Sequence, residues 1–273
     1  MTTTPMTPAQ WRAQLKKFGV PFREVGDFAS PTSGRDDETG LTFGPVYGVV
    51  IHHTGSDSAD SNNRALIDGG RSDLPGPLAQ SGLDDDGVID MITWKRANHA
   101  GGGDPDVLAA VKAENYGDFP PPTDKHQGEP GAVDGNDSFY GLETYYSGGH
   151  PMTAKQYRTA VAWAAAICDF HGWTAKSVIG HKEWSDWKPD PGHVDMRVFR
   201  RDVQALLDAQ DRTAAPVVGP RFITPNITKA IAANIAYDKA LSRIQLDAAE
   251  DERDKYRAQI KNQRRVLRDL ERK

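Results

Sequence analysis

The sequence predicts an α/β domain with a central mixed β-sheet flanked by helices, followed by a C-terminal helical extension. Short apolar runs typical of strands alternate with longer stretches typical of helices, an order characteristic of α/β domains. Two of the runs flank Asp86-Gly87, a dipeptide typical of a β-hairpin. A length of 273 residues allows one sizeable domain and an appendage.

The first half of the chain supplies helices, a buried strand and the hairpin. Thr7 is a candidate N-cap for a helix over "TPAQWRAQLKKFGV", which Gly19 would end. The loop "SPTSGRDDETGLTFGP" leads into "VYGVVIHH", a valine-rich run typical of a buried strand. "SADSNNRALIDGG" predicts a helix, and "SGLDDDGVIDMIT" the hairpin. From Gly101 to Gly135, Pro and Gly accumulate in a long irregular segment with one helix at "DVLAAVKAEN".

The second half contains the clearest helix, from Thr153 to His171. The strand "FYGLETYY" precedes it, Thr153 can cap it, and Gly172 occupies the position expected of a terminating glycine. His171 ends the helix, where a cation suits the helix dipole. Cys168 lies on the apolar stripe, so we expect a small buried hydrophobe rather than a nucleophile. "SVIGH" predicts a last strand and "MRVFRRDVQALLDAQ" a closing helix.

Composition divides the chain into four parts. We expect an N-terminal helix and loop (1–45) packed on a main domain (46–210), then a Pro-containing linker (211–226) and a helical region (227–273) without Pro or Gly. No run of eighteen apolar residues and no apolar signal segment is present, so we expect no stable membrane insertion. The single cysteine excludes an intramolecular disulfide.

Polar residues at the ends of apolar runs suggest a site. His52 follows "VVI", His181 follows "VIG", and Asp190 lies in "KPDPG". Two imidazoles and a carboxylate would bind Zn²⁺ and leave a fourth position open, as hydrolytic zinc sites do. Glu143 in "YGLET" and Lys188 beside Asp190 could serve the same site. Histidines with purely structural roles are the alternative at this point.

Four segments together resemble the type 2 N-acetylmuramoyl-L-alanine amidases: "VVIHHTG", "GVIDMITWKRANHAGGG", "NDSFYGLE" and "IGHKEWSDWKPDPG". This superfamily includes phage endolysins, cell-wall recycling amidases and peptidoglycan recognition proteins, and the match covers about residues 47–207. The segments "RANHAG" and "PGPLAQ" are most similar to endolysins of phages that infect actinobacteria. The resemblance implies that His52, His181 and Asp190 are the Zn²⁺ ligands.

The same resemblance implies roles for other residues. Lys188 corresponds to the lysine that stabilises the oxyanion, Glu143 to the catalytic glutamate, and His99 to a groove histidine that contacts glycan or peptide. Many relatives carry a catalytic tyrosine before the hairpin, where this chain has Ala79 followed by Gln80. Either Glu143 alone is the general base, or a loop residue substitutes for the tyrosine.

Several neighbouring residues have a structural interpretation beside a functional one. Thr54 and Asn98 are candidates for substrate binding or for ordinary turn hydrogen bonds, and Trp184 and Trp187 for sugar stacking or core packing. His53 should face away from the metal, because successive side chains on a strand point to opposite faces. His193 is the rival ligand to Asp190, although it lacks the motif.

The resemblance implies an endolysin that hydrolyses the amide between N-acetylmuramic acid and L-alanine in bacterial peptidoglycan. Such a protein would accumulate in the host cytoplasm and reach the wall after release by a holin. The alternatives are a non-catalytic peptidoglycan-binding protein and a zinc peptidase that cuts the stem peptide.

The basic C-terminal end is a separate feature. Nine basic and three acidic residues between positions 253 and 273 give this segment a net charge of +6. Because the whole chain has a net charge of −5, positions 1–252 have a net charge of −11. This helical region could bind anionic wall polymers, form an oligomer, or be a solvated extension without a ligand. We do not expect nucleic-acid binding, because Tyr256 is the single aromatic residue between positions 253 and 273.

Overall fold

The computed structural model describes residues 2–214, and the predictions for the linker beyond Ala214 and for the region 227–273 lie outside these residues. The helices are α1 (Pro8–Lys17), α2 (Asp36–Thr39), α3 (Asp60–Gly69), α4 (Pro105–Ala113), α5 (Ala154–His171), α6 (His181–Trp184) and α7 (Met196–Ala214). The strands are β1 (Phe22–Glu24), β2 (Gly48–His53), β3 (Gly70–Arg71), β4 (Leu74–Pro75), β5 (Ser81–Leu83), β6 (Ile89–Met91), β7 (Gly102–Gly103), β8 (Val133–Asp134), β9 (Phe139–Thr144) and β10 (Val178–Gly180).

Six strands form the central sheet in the order β1-β6-β5-β9-β2-β10. The hairpin pair β5 and β6 is antiparallel, and every other neighbouring pair is parallel. The sheet is therefore mixed, and the predicted fold class is confirmed. Gly87 has a φ of 79°, the left-handed conformation that the hairpin turn needs. The pairs β3–β4 and β7–β8 form two small separate sheets.

Helix α5 packs on this sheet and is bounded by the predicted signals. Thr153 and Gln156 form a reciprocal capping box, and Gly172 has a φ of 71°. Cys168 is fully buried in the main hydrophobic cluster, as expected of a small hydrophobe, and burial raises the pKa of its thiol. Helix α7 continues to Ala214, beyond the predicted end at Gln210.

The N-terminal segment shares the main hydrophobic core. Trp11 of α1 is 1% exposed and meets Tyr140 of β9 edge-on at 5.4 Å between ring centroids. Burial lowers the pKa of His171 to about 4, so this imidazole is neutral rather than the cation predicted at the helix end. Its Nδ1 donates to the carbonyl of Thr2 at 2.8 Å, and its Nε2 accepts from the Tyr140 hydroxyl at 3.1 Å.

Strand β1 and helix α2 are among the elements that the sequence does not predict. Strand β1 pairs with β6 at the edge of the sheet, although three residues with one partly buried side chain give no apolar run to detect. Helix α2 occupies part of the predicted loop before β2. No described helix is both long and apolar enough to cross a lipid bilayer.

A buried ion pair connects α7 to the end of β10. Arg200 donates to both carboxylate oxygens of Glu183 at 2.8 and 2.9 Å, and the same carboxylate accepts from the backbone of Gly180. Arg200→Ala is expected to lower the free energy of unfolding by about 3–5 kcal/mol, because it leaves Glu183 buried and unpaired. Denaturant titration measures the loss. Arg197→Ala, on the exposed side of α7, is the control, and an equal loss in both variants would contradict the prediction.

Candidate metal centre

Three adjacent parallel strands end side by side and carry the main polar residues of the site. In the register of β2 with β9, His52 is the partner of Glu143, so their side chains point to the same face. In the register of β2 with β10, Ile51 is the partner of Gly180, which places His181 directly beyond the strand and next to His52. The carboxyl ends of parallel strands are the common location of ligand sites in such sheets.

His52, His181 and Asp190 place three atoms that could bind a metal ion in a compact triangle. The Nδ1 atoms of the two histidines are 2.9 Å apart, and Asp190 Oδ2 lies 3.0 Å from His52 Nδ1 and 3.1 Å from His181 Nδ1. The three side chains are buried, and within the described residues they are the group that could share one metal ion. The structure therefore brings together three residues that are far apart in the chain.

Both histidines are oriented so that Nδ1, rather than Nε2, is the ring nitrogen that could bind a metal. His181 donates through Nε2 to the carbonyl of Ala100 at 3.2 Å. The Nε2 atom of His52 lies 3.1 Å from Nδ1 of His99. Burial lowers the pKa of His52 to about 4, so the ring is neutral near pH 7. A neutral imidazole is the form that binds a metal.

Asp190 contributes the negative charge of the triangle. Although burial alone would raise its pKa, contact with the imidazoles of His181 and His52 holds the pKa far below its ordinary value. Its backbone carbonyl accepts from the backbone of Lys182 at 2.7 Å, and the Lys182 ammonium donates to the carbonyls of Pro191 and Val194. Sequence reasoning missed Lys182, because its acceptors are backbone atoms of a loop that gives no spacing signal.

Glu143 lies beside the triangle with one oxygen unsatisfied. Its Oε2 is buried and has no hydrogen-bond partner. Burial and the negative charge of Asp190 raise the pKa of Glu143 well above its ordinary value, whereas Lys188 acts in the opposite direction. A carboxylate of this kind needs a proton or a hydrogen-bonding partner at the position it faces, which suits an acid–base group.

A cavity of about 790 Å³ opens beside the triangle and borders His181, His99, Asn98 and Lys188. Its walls come from the segments around positions 96–102, 126–136 and 185–188, so the long irregular segment of the sequence forms much of it.

The two tryptophans of "KEWSDW" have different positions. Trp184 is fully buried and packs on Phe139, which makes it a core residue. Trp187 is 66% exposed on the cavity rim. The imidazole of His126 stacks on it, with ring centroids 3.4 Å apart and an angle of 13° between the planes.

Other predicted residues lie outside the triangle. The hydroxyl of Thr54 donates to backbone carbonyls of Ser56 and Tyr146, and the amide of Asn98 donates to the carbonyl of Pro75. His53 packs edge-on against the ring of Tyr146. His193 is exposed in a left-handed conformation and is not part of the metal-binding group.

Ala79 and Gln80, which stand where many relatives carry the catalytic tyrosine, are buried in the interior of the domain. Ala79 is fully buried in a small apolar cluster. Gln80 is also fully buried, and its side chain accepts from the backbone of Gly141 and donates to the carbonyl of Lys95. Neither residue offers a group to the cavity.

The family model of N-acetylmuramoyl-L-alanine amidases, Amidase_2, matches residues 42–193, which is more than half of the chain. A search of well-characterised protein sequences finds no significant match.

Among solved structures, the chain is similar to N-acetylmuramoyl-L-alanine amidase LysC from Clostridium intestinale URNW, at 15% identity and a TM-score of 0.42, over 68% of this chain and 97% of that one. It is also similar to the Staphylococcus aureus hydrolase AmiA in complex with its ligand, at 13% identity and a TM-score of 0.44, over 79% and 98%. On the strength of the match over residues 42–193, the chain belongs to the family of N-acetylmuramoyl-L-alanine amidases.

Proposed function

We propose that this amidase is a zinc-dependent phage endolysin that cleaves the bond between N-acetylmuramic acid and L-alanine in peptidoglycan. The observation that carries the proposal is the buried triangle of His52, His181 and Asp190, at the ends of parallel strands and beside an unsatisfied glutamate. The family match supports the amide as the bond that is cut.

The triangle fits zinc in donor type and in spacing. Zn²⁺ binds histidine nitrogen and carboxylate oxygen at roughly 2.0–2.2 Å in a tetrahedron, which separates neighbouring donors by roughly 3.3 Å. The donor atoms here are 2.9–3.1 Å apart, so small outward shifts would complete the coordination. Three protein ligands leave one position for water or substrate, as in catalytic rather than structural zinc sites.

The mechanism assigns separate tasks to the surrounding residues. Zinc held by the triangle would polarise the amide carbonyl and lower the pKa of a bound water. Glu143 accepts a proton from the attacking water and delivers it to the departing alanine nitrogen. Lys188, exposed on the cavity rim, presents its ammonium to the negative charge that develops on the carbonyl oxygen. The products are the glycan strand and a stem peptide with a free amino-terminal alanine.

Digestion of purified peptidoglycan tests this function and its two alternatives. Mass spectrometry should find new amino-terminal alanine and intact glycan, and a chelator should stop the release. Cuts inside the stem peptide would identify a peptidase, and no release by the zinc-loaded protein would identify a binding protein.

The endolysin role has its own test. The resemblance of "RANHAG" and "PGPLAQ" to phage endolysins supports synthesis in the host cytoplasm and release through a holin. Host cells that express the chain should lyse when a holin is co-expressed and should remain intact without it. Equal lysis in both cases would contradict dependence on a holin.

Trp187 provides a further prediction about substrate binding. Its indole is held by the stacked His126, whose Nδ1 lies 2.9 Å from the carboxylate of Asp186, so the platform is preorganised. The C–H groups of a sugar ring suit the negative face of an indole, and aromatic contacts contribute about 0.5–1.5 kcal/mol.

Trp187→Ala is therefore expected to raise KM for peptidoglycan by roughly 3- to 10-fold with little change in kcat. Steady-state kinetics measure both constants. Phe119→Ala, which removes an exposed aromatic residue that does not border the cavity, is the control. A KM for Trp187→Ala equal to that of the wild type would remove Trp187 from the substrate-binding surface.

A further inference from the structure

We propose that His99 is a positioning residue that holds His52 in the tautomer whose Nδ1 is free for the metal. The proposal rests on the proposed metal site, and it gives His99 a task other than the contact with glycan or peptide that the family resemblance implies. The directions of successive hydrogen bonds, beginning at one backbone carbonyl, determine this tautomer.

The carbonyl of Phe139 fixes the first of these directions. It lies 3.0 Å from Nε2 of His99, and because a carbonyl oxygen can only accept, this nitrogen must carry the proton. The ring is buried, and its two nitrogens contact a backbone carbonyl and another imidazole rather than a carboxylate, so it carries a single proton. Its Nδ1 is therefore an acceptor.

The tautomer of His52 follows from that of His99. Nδ1 of His99 lies 3.1 Å from Nε2 of His52, so Nε2 of His52 must donate. The proton of the neutral His52 ring is thereby placed on Nε2, and the lone pair of Nδ1 points at His181 and Asp190. The other tautomer of His52 would lose the bond to His99 and direct an N–H at the metal position. Hydrogen bonds that fix the tautomer of a ligating histidine are a general feature of metal sites.

The backbone around His99 is built to keep this ring in place. The side-chain oxygen of Asn136 accepts from the backbone N–H groups of His99, Ala100 and Gly101 at 3.0, 2.8 and 3.1 Å. The ring of His99 lies against Gly141, where a Cβ atom would be 2.6 Å from the imidazole Cγ. Only glycine leaves room for the ring at this position of β9.

The same segment orients both histidine ligands. His99 accepts from His52 through its side chain, and the carbonyl of the next residue, Ala100, accepts from Nε2 of His181. One short piece of backbone, fixed by Asn136, thus aims two imidazoles at a common point. His99 itself is 8% exposed, and both of its nitrogens are engaged within the protein.

The test compares replacements of His99 that keep or remove the acceptor. His99→Leu removes it, whereas the side-chain amide of His99→Gln can accept from His52 and donate to Phe139. We expect His99→Leu to weaken zinc affinity by about 10- to 100-fold, measured by competition with a chelator, and His99→Gln to stay within a few-fold of the wild type. His53→Leu, which removes the adjacent imidazole on the opposite face of β2, is the control.

A second measurement does not need zinc or substrate. Nitrogen-15 NMR of the metal-free protein reports the tautomer of His52, which should be almost entirely the Nε2–H form in the wild type and a mixture in His99→Leu. Gly141→Ala, which displaces the ring without changing its chemistry, should have the same two effects if His99→Leu fails to fold.

The outcomes separate this inference from the proposed function. Wild-type zinc affinity and an unchanged His52 tautomer in folded His99→Leu would overturn the inference, and a rise in KM alone would assign His99 to substrate contact instead. A wild-type protein that binds zinc in this way but releases nothing from peptidoglycan would overturn the function and leave the inference standing.

Discussion

Glu143→Gln is expected to lower kcat by roughly 10²- to 10⁴-fold, because an amide cannot take a proton from the attacking water. Zinc content should stay at the wild-type level, since Glu143 is not part of the triangle of donor atoms. Hydrolysis of a soluble muropeptide, followed by chromatography of the released peptide, measures kcat.

The pH profile gives a second readout for Glu143. Burial and the negative charge of Asp190 raise its pKa, and the positive charge of Lys188 opposes that rise. A general base works in its ionised form, so activity should increase as pH rises through the pKa of Glu143, and the variant should lose this limb of the profile. Glu24→Gln, an exposed carboxylate paired with Arg12, is the control. A kcat close to that of the wild type would require another residue as the base.

Asp190→Ala is expected to abolish tight zinc binding and to lower kcat/KM by about 10³-fold or more, because the polarisation supplied by a metal is worth several kcal/mol. The loss also leaves two neutral imidazoles without the negative charge that favours a dication. A chelator should inactivate the wild-type enzyme, and added zinc should restore it, whereas zinc at the same concentration should not restore Asp190→Ala.

His193→Ala is the matched control for this experiment, because its side chain lies three residues further along the same loop and outside the triangle. Zinc content is measured by atomic absorption. If His193→Ala lost zinc and Asp190→Ala kept it, the assignment of the third ligand would be wrong.

The sequence predicted the sheet and the position of the site because both depend on local patterns. The valine-rich run before His52 identifies a buried strand, and a polar residue at the end of such a strand lies where ligands bind. The mixed character of the sheet follows from the hairpin signal at Asp86-Gly87.

The residues that hold the site residues in position could not be predicted in the same way. Asn136 and Lys182 act through backbone atoms that only folding brings to them, and neither gives a spacing signal. The hydrogen bond between His52 and His99 joins residues 47 positions apart. Likewise, the spacing of Trp184 and Trp187 does not show which one is buried, because that depends on the turn between α6 and Asp190.

Strand β2 lies between β9 and β10, and its central residues Val49, Val50 and Ile51 are fully buried. Backbone amides in such a strand exchange their hydrogens with solvent mainly through global unfolding. His52 therefore lies on a strand that loses its structure only when the whole domain unfolds. Thermal inactivation and the melting of the whole domain should consequently follow one and the same curve.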